Sequence, residues 1–168
     1  MGEVALKVAK AEFTAHFERE ARTLAAFEHK NICRLYDVGT NYLAMELLDG
    51  VLLVSQEKPG PLPVQKAVEY AGQILDALDA AHRKGFTHRD LKPANVMVTK
   101  EAGNKTCIKL LDFGLAKRTD PPKHDDVTMT ALTMPGQIAG TPQYMAPERL
   151  QCKEADARSD IFSFGCVL

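Results

Sequence analysis

The 168-residue chain has almost no excess charge of either sign: 21 lysines and arginines stand against 22 aspartates and glutamates, for a formal net charge of −1. Without a basic surplus there is no electrostatic case for gripping nucleic acid or an acidic membrane surface, and neither is expected as a partner. Cysteine motifs are lacking too. Cys33, Cys107, Cys152 and Cys166 are scattered, with no CxxC pair. That spacing disfavours a disulfide framework or a thiolate metal site and points to free thiols in a reducing compartment. No apolar run approaches the ~20 residues of a membrane-spanning helix, and no signal peptide precedes the first periodic segment. The expected location is therefore the cytoplasm, with no membrane segment in this chain and any anchor left to the rest of the gene product. Internal repeats and low-complexity tracts are absent, and so is a GxxxxGK[ST] phosphate loop, which sets aside a P-loop NTPase. What is present is 45% hydrophobic and 26% charged, enough to bury a core.

Val4, Leu6 and Val8 alternate with Ala5, Lys7 and Ala9, the period of a half-buried strand with branched groups on one face and a charge flanked by two methyl groups on the other. Phe13, Phe17, Ala21, Leu24 and Phe27 then share one helix face. Glu20 falls inside that stripe, where a lone buried carboxylate is costly, so a cation is expected to meet it. Glu18 and Arg22 are spaced as an exposed i,i+4 pair. "ICRLYDVG" and "YLAMELL" read as a strand pair turning through Gly39 to Asn41. Asp49–Gly50 and "KPGPLP" read as a linker between two regions, 1–50 and 51–168. Val64, Ala67, Val68, Ala71, Ile74, Leu75, Leu78 and Ala81 trace a long amphipathic helix that Gly85 stops. "NVMVT" and "CIKLLD" follow as strands around the loop "KEAGNK". From Phe113 to Pro147 there is no clear periodicity, and the final "SDIFSFGCVL" opens an apolar helix. His16, His29, His82 and His124 have no ligand spacing and are expected to be surface or satisfied histidines.

Chemistry concentrates in "HRDLKPAN" after the long helix: His88, Arg89, Asp90, Lys92 and Asn95. Alone, H-x-D is no more than a turn with a capping aspartate. Seventeen residues after Asn95, however, comes "DFGLAK" with Asp112, then "GTPQYMAPE", while "VALK" and the helical Glu20 lie upstream. In this order the motifs resemble those of the protein kinase family, and the wording of "HRDLKPANVM", "LLDFGLAK" and "SDIFSFG" is similar to bacterial serine/threonine kinases of the eukaryotic type.

The resemblance implies an α+β, two-lobed kinase fold represented in part: 1–50 as a partial N-lobe and 51–168 as a partial C-lobe. It also implies phosphoryl transfer from ATP with Mg²⁺ to serine or threonine hydroxyls of a protein substrate. Asp90 would accept or orient the hydroxyl's proton, and Lys92 would place a positive charge near the moving phosphate. Asn95 and Asp112 would be the hard oxygen ligands of Mg²⁺. Lys7 would hold the α- and β-phosphates, braced by Glu20; otherwise it is an edge-strand lysine with its head in water. Ala5 and Met97 would close on the two faces of adenine, and the backbone of Glu46 and Leu48 in "MELL" would bond its edge. Leu24, Leu35, His88 and Phe113 match a column joining the lobes, and Asp160 matches the anchor of the catalytic loop. Thr141 would shape the acceptor site beside Asp90 and Lys92. Arg89 is of the kind that pairs with a phosphorylated activation loop, for which Thr128, Thr130 and Thr133 are candidates. "DFG" and "APE" set this apart from small-molecule phosphotransferases of similar fold.

Against the family pattern, no GxGxxG precedes Lys7, and the later helices are missing. Glu148 is thereby expected to lack its usual arginine partner, and this stretch alone to have little transfer activity. The second expectation is a catalytically dead kinase-like fragment acting through protein contacts.

Overall fold

A computed structural model describes residues 3–55, 61–100, 103, 105–113, 142–151 and 153–168, together with the backbone of 132–133 and 137–138. The first sheet holds β1 (Val4–Val8), β2 (Leu35–Val38) and β3 (Tyr42–Glu46), antiparallel in the order β1-β3-β2. Helix α1 (Ala15–Ala25) is capped by Thr14, whose Oγ1 accepts from Phe17 N–H at 3.2 Å and satisfies one orphan donor of the first turn. It buries Phe17 and Ala21 against Leu35, Val38 and Leu43.

The alternation of β1 is as expected, and its branched face is the one that is exposed. Val4, Leu6 and Val8 are 46%, 62% and 66% exposed. Register explains this: Ala5 pairs with Met45 and Lys7 with Leu43, and directly paired residues point to the same side of a sheet. Leu43 packs in the core cluster with α1, so Ala5 and Lys7 take the α1 side and the branched residues take the other. Arg22 also departs from expectation, donating Nη2–H to Val38 O at 3.1 Å rather than forming the surface pair with Glu18.

The second sheet runs β4 (Gly50–Leu52), β5 (Val96–Lys100), β6 (Thr106–Leu110), again antiparallel. Gly50, expected in a linker, opens β4 opposite Thr99, and an added Cβ there would lie 2.5 Å from Val98 O. The β5–β6 hairpin forms as read, with Gly103 at φ 80° in its loop. Helix α2 (Val64–Arg83) lies against this sheet and buries Tyr70, Ile74, Ala77, Leu78 and Ala81. Complete burial of side chains such as Ile74 and Leu78 is worth about 1.5–3 kcal/mol each. Val64, Val68 and Leu75 are exposed instead, on the neighbouring stripe of the helix.

The segment between α1 and β2 stitches the sheets together. Cys33 N–H donates to Leu110 O and Leu110 N–H to Asn31 O, both at 2.8 Å. Leu24 and Ile32 accordingly share one core with Ile74, Leu91, Leu110 and Phe164. In the segment without periodicity, β7 (Leu132–Thr133) pairs with β8 (Gln137–Ile138). Two more helices close the described chain, α3 (Pro147–Leu150) and α4 (Ala157–Val167). Asp156 caps α4 in a reciprocal box with Ser159. Read as an apolar helix, α4 in fact buries Ser159, Asp160 and Ser163 beside Phe164, while Ile161 and Phe162 are exposed. Among the described residues no helix is long and apolar enough to cross a membrane.

Candidate active site

The loop after α2 begins with a left-handed glycine. Gly85 has φ 79°, its N–H reaches His82 O and the Phe86 N–H reaches Ala81 O, which together end the helix in a Schellman turn. The chain then passes beneath α4, where the Asp160 side chain is 1% exposed. Its Oδ2 accepts from His88 N–H at 2.7 Å and its Oδ1 from Arg89 N–H at 2.8 Å. His82 Nε2 lies 2.7 Å from the same Oδ2; a carboxylate only accepts, so this ring nitrogen carries the proton. His82 is thus a satisfied histidine with a positional role that its spacing alone did not reveal.

These bonds hold an unusual backbone. Arg89 has φ 64° and Asp112 φ 55°, the two non-glycine residues of positive φ among those described. Such conformations are uphill for side-chain-bearing residues and persist where surrounding bonds impose them. His88, fully buried, packs its ring 4.7 Å from that of Phe113. Burial pushes its pKa below the ordinary value, with Asp160 and Asp90 opposing. Leu24 and Phe113 lie in the same core, whereas Leu35 packs under α1.

The Asp90 carboxylate is gripped from two sides. Lys92 Nζ donates to its Oδ2 at 2.9 Å and Asn95 Nδ2 approaches the same oxygen at 3.3 Å. Asn95 Nδ2 also donates to Asp90 O at 2.8 Å, within a 3₁₀ turn over Pro93–Asn95. Asn95 O in turn accepts from Leu111 N–H at 2.9 Å, which ties the loop to the residue before Asp112. Across from them Lys7 Nζ bonds Asp112 Oδ2 at 2.7 Å. The fold therefore sets Lys7 of β1 against Asp112, just past β6, and holds Asp90, Lys92 and Asn95 together on the loop before β5.

Glu20 is placed differently from the expectation. It meets His16 Nδ1 at 3.6 Å, one helical turn away, while the Lys7 head is engaged by Asp112. The left-handed φ at Asp112 accompanies a carboxylate brought to β1, and Lys7 bonds that group. Glu20 instead lines a cavity with Leu24, Phe86, Thr87, Arg89 and Phe113. Glu46, expected to act through its backbone, spends its N–H on Arg34 O at 2.8 Å. Its side chain takes both oxygens to Lys109 Nζ at 2.9 Å and accepts from Arg34 N–H at 3.2 Å. Its carbonyl faces Cys33 Sγ at 3.7 Å, and the Cys33 thiol is pushed up to about 11 by burial and by the Glu46 carboxylate. Ala5, Leu48 and Met97 are partly buried, with Ala5 on β1 and Met97 on β5 opposite Lys109.

A second cavity is lined by Asp90, Lys92, Tyr144, Met145, Arg149 and Ser163. Glu148 takes a serine where the family pattern has an arginine: Ser159 Oγ donates to it, which holds its carboxyl below the usual range. Thr128, Thr130 and Thr141 lie outside the described residues, and only the backbone of Thr133 is described, in β7. Lys109, Ser159 and Arg149 went unnoticed in the sequence; each has a contact 11 to 63 positions away that no local spacing announces.

Among the described residues no cluster of three or more His, Cys, Asp or Glu could hold a metal. Asp112 and Asn95 still fit Mg²⁺, which takes one or two protein oxygens and completes its shell with phosphates and water. Asn95 directs its nitrogen to Asp90, so its Oδ1 is the oxygen left for a cation.

Comparison with known proteins agrees with this arrangement. A family model described as "Protein kinase domain" matches residues 2–168. The chain is 38% identical over 174 residues to serine/threonine-protein kinase pkn2 of Myxococcus xanthus, covering 98% of this chain and 20% of that protein. It is 35% identical over 181 residues to serine/threonine-protein kinase PknB of Mycobacterium leprae, covering 99% of this chain and 27% of that protein. Among solved structures, the PknI kinase domain of Mycobacterium tuberculosis superposes with a TM-score of 0.70 at 30% identity, over 97% of this chain and 60% of that one. The chain thus spans a fifth to about a quarter of the length of these two curated relatives.

Proposed function

The chain belongs to the protein kinase domain family and has its α+β fold, and from that premise we propose that it takes part in Mg-ATP-dependent phosphoryl transfer to serine or threonine hydroxyls of a protein. The observation that carries this reading is the Asp90 carboxylate, held by Lys92 and Asn95 on a loop that Asp160 clamps. Asp90 orients the acceptor hydroxyl and takes its proton as the hydroxyl oxygen bonds the γ-phosphorus and the bond to the β–γ bridging oxygen breaks, releasing ADP. Lys92, already 2.9 Å from Asp90, supplies positive charge where the transferred group becomes more negative. Bound Mg²⁺ would neutralise phosphate charge, with Asp112 and Asn95 Oδ1 as the protein's ligands. Lys7, released from Asp112, would grip the phosphates, and Glu20 on α1 would turn to brace it. Ala5 and Met97 are assigned to the adenine faces, and the backbone of Glu46 and Leu48 to its edge. Thr141 is assigned to the acceptor site, and Thr128, Thr130 and Thr133 to activation-loop phosphorylation. The two regions, 1–50 and 51–168, are the corresponding lobes, with β4 beginning at Gly50 on the boundary.

Transfer of radiolabelled phosphate from ATP to a serine- and threonine-rich acceptor protein tests this reading. Weak incorporation that Asp90→Asn abolishes is expected. ATP binding without Asp90-dependent incorporation would overturn it in favour of a non-catalytic role through protein contacts. The Lys7–Asp112 bond, formed in place of Lys7–Glu20, is the observation that favours that second reading.

A further inference from the structure

Arg149 follows Glu148 in "APERL" and lies on α3, partly buried. Its Nη1 donates to Arg89 O at 2.6 Å. That carbonyl belongs to the peptide joining Arg89 to Asp90, at the point where the chain holds the left-handed φ of 64°. Three bonds surround this turn. Asp160 Oδ1 takes the Arg89 N–H at 2.8 Å, and His88 Nδ1 takes the Asp90 N–H at 3.3 Å. Arg149 takes the remaining carbonyl, and it does so from a helix 60 positions along the chain.

Lys92 and Asn95 hold the carboxylate of Asp90 but not the plane of the peptide before it. Left to itself, a non-glycine residue relaxes out of positive φ, and that rotation would carry Asp90 with it. A guanidinium donating to a carbonyl makes a charge-assisted bond, stronger than a neutral one. Glu148, the adjacent carboxylate, is taken by Ser159 Oγ. Arg149 also shares a cavity with Asp90, Lys92, Tyr144 and Met145, so it sits where an acceptor chain would approach.

We propose that Arg149 is a positioning residue for Asp90: it fixes the Arg89–Asp90 peptide and thereby the direction in which the carboxylate faces an acceptor hydroxyl. The catalytic part of this statement rests on the kinase reading above; the structural part does not. Both are tested on the same chain with Arg149→Ala and Arg149→Lys. Amide hydrogen exchange, followed by NMR on isotope-labelled protein, should speed up about tenfold at Arg89 and Asp90 in Arg149→Ala and stay unchanged at Ile108 and Leu110. Arg149→Lys, which can still donate to the carbonyl, should restore most of the protection. In the transfer assay, kcat should fall about tenfold in Arg149→Ala with KM for ATP within about twofold.

Wild-type exchange at Arg89 and Asp90 in Arg149→Ala overturns the proposal, and if Asp90→Asn still abolishes transfer, the kinase reading survives it. If the parent chain shows no Asp90-dependent transfer, the kinase reading fails while exchange still decides whether Arg149 holds the peptide. Should Ile108 and Leu110 also speed up in the alanine variant, the lysine variant decides. Protection at Arg89 and Asp90 then supports the proposal, and its loss there overturns it.

Discussion

Asp160→Ala is the substitution with the most to lose per atom removed. The carboxylate is 1% exposed and receives three donors: His88 N–H at 2.7 Å, Arg89 N–H at 2.8 Å and His82 Nε2 at 2.7 Å. Hydrogen bonds to a charged group contribute about 1.5–3 kcal/mol each. The gross loss is offset in part because a buried charge no longer has to be desolvated, a term of several kcal/mol. Removing one member of a buried, hydrogen-bonded set costs about 3–5 kcal/mol, and the alanine variant should fall in that range. Against the roughly 5–15 kcal/mol that holds a domain folded, this is a large fraction. With a urea slope of about 1–3 kcal/mol per molar, the unfolding midpoint should drop by about 2 M. Asp160→Asn should lie between, because its oxygen can satisfy one N–H while its NH₂ confronts another donor. Urea unfolding of the three proteins, followed by circular dichroism, makes the comparison. A loss below about 1 kcal/mol in Asp160→Ala would refute the anchoring role derived from these bonds.

Stability should depend on pH through His88, whose pKa is lowered first by burial. The folded state keeps the imidazole neutral and the unfolded chain protonates it below about 6.5, so stability is full above that value and declines as pH falls toward the folded pKa, by at most about 1.4 kcal/mol per pH unit. Urea midpoints at pH ~7.5 and ~5.5 should differ more in the parent than in His88→Leu, and equal differences would count against the argument. Cys33, its thiol pushed up to about 11, should resist alkylation while the exposed Cys166 reacts. At pH ~8 only about one Cys33 in a thousand is thiolate, and peptide mapping that found the two labelled at equal rates would contradict this. Gly50→Ala would set its Cβ 2.5 Å from the Val98 carbonyl oxygen and should destabilise by about 1–3 kcal/mol in thermal unfolding, where an unchanged midpoint would show that β4 shifts freely.

What the sequence made legible follows the range of the interaction. Helix α1, the ends of α2 and the β5–β6 hairpin rest on contacts within a few residues, and their signals were sufficient. Which face each element buries was harder to read. In β1 the choice hangs on register with β3, where Lys7 stands opposite Leu43, and no pattern inside "VALKV" encodes that partner. In α2 two neighbouring apolar stripes are present, and the sheet selects the one with Tyr70 and Ala77 over the one with Val64 and Val68. A helix read as apolar, α4, turns its polar residues inward because Asp160 has a loop to hold.

The site divides along the same line. Residue types in "HRDLKPAN" and "DFG" carry their chemistry locally, and the fold gathers them. The partners of Lys7 and Asp160 lie 105 and 72 positions away, and electrostatics alone ranks such pairs poorly. The place of Glu20 in an apolar stripe called for a cation, and Lys7 was the one at hand. Two carboxylates compete for that lysine, however, and the backbone decides between them. Asp112, at φ 55°, reaches Lys7, while Glu20 lies 3.6 Å from His16 Nδ1, one turn away on α1. The lysine side chain is 47% exposed, so the Asp112 pair is screened and weakly favourable, on the order of 1 kcal/mol or less. In the phosphate-holding role proposed for Lys7, an anionic phosphate with its metal ion would have only to exceed that small term. The Lys7–Asp112 pair is therefore weak enough to give way to the phosphate contact proposed for Lys7.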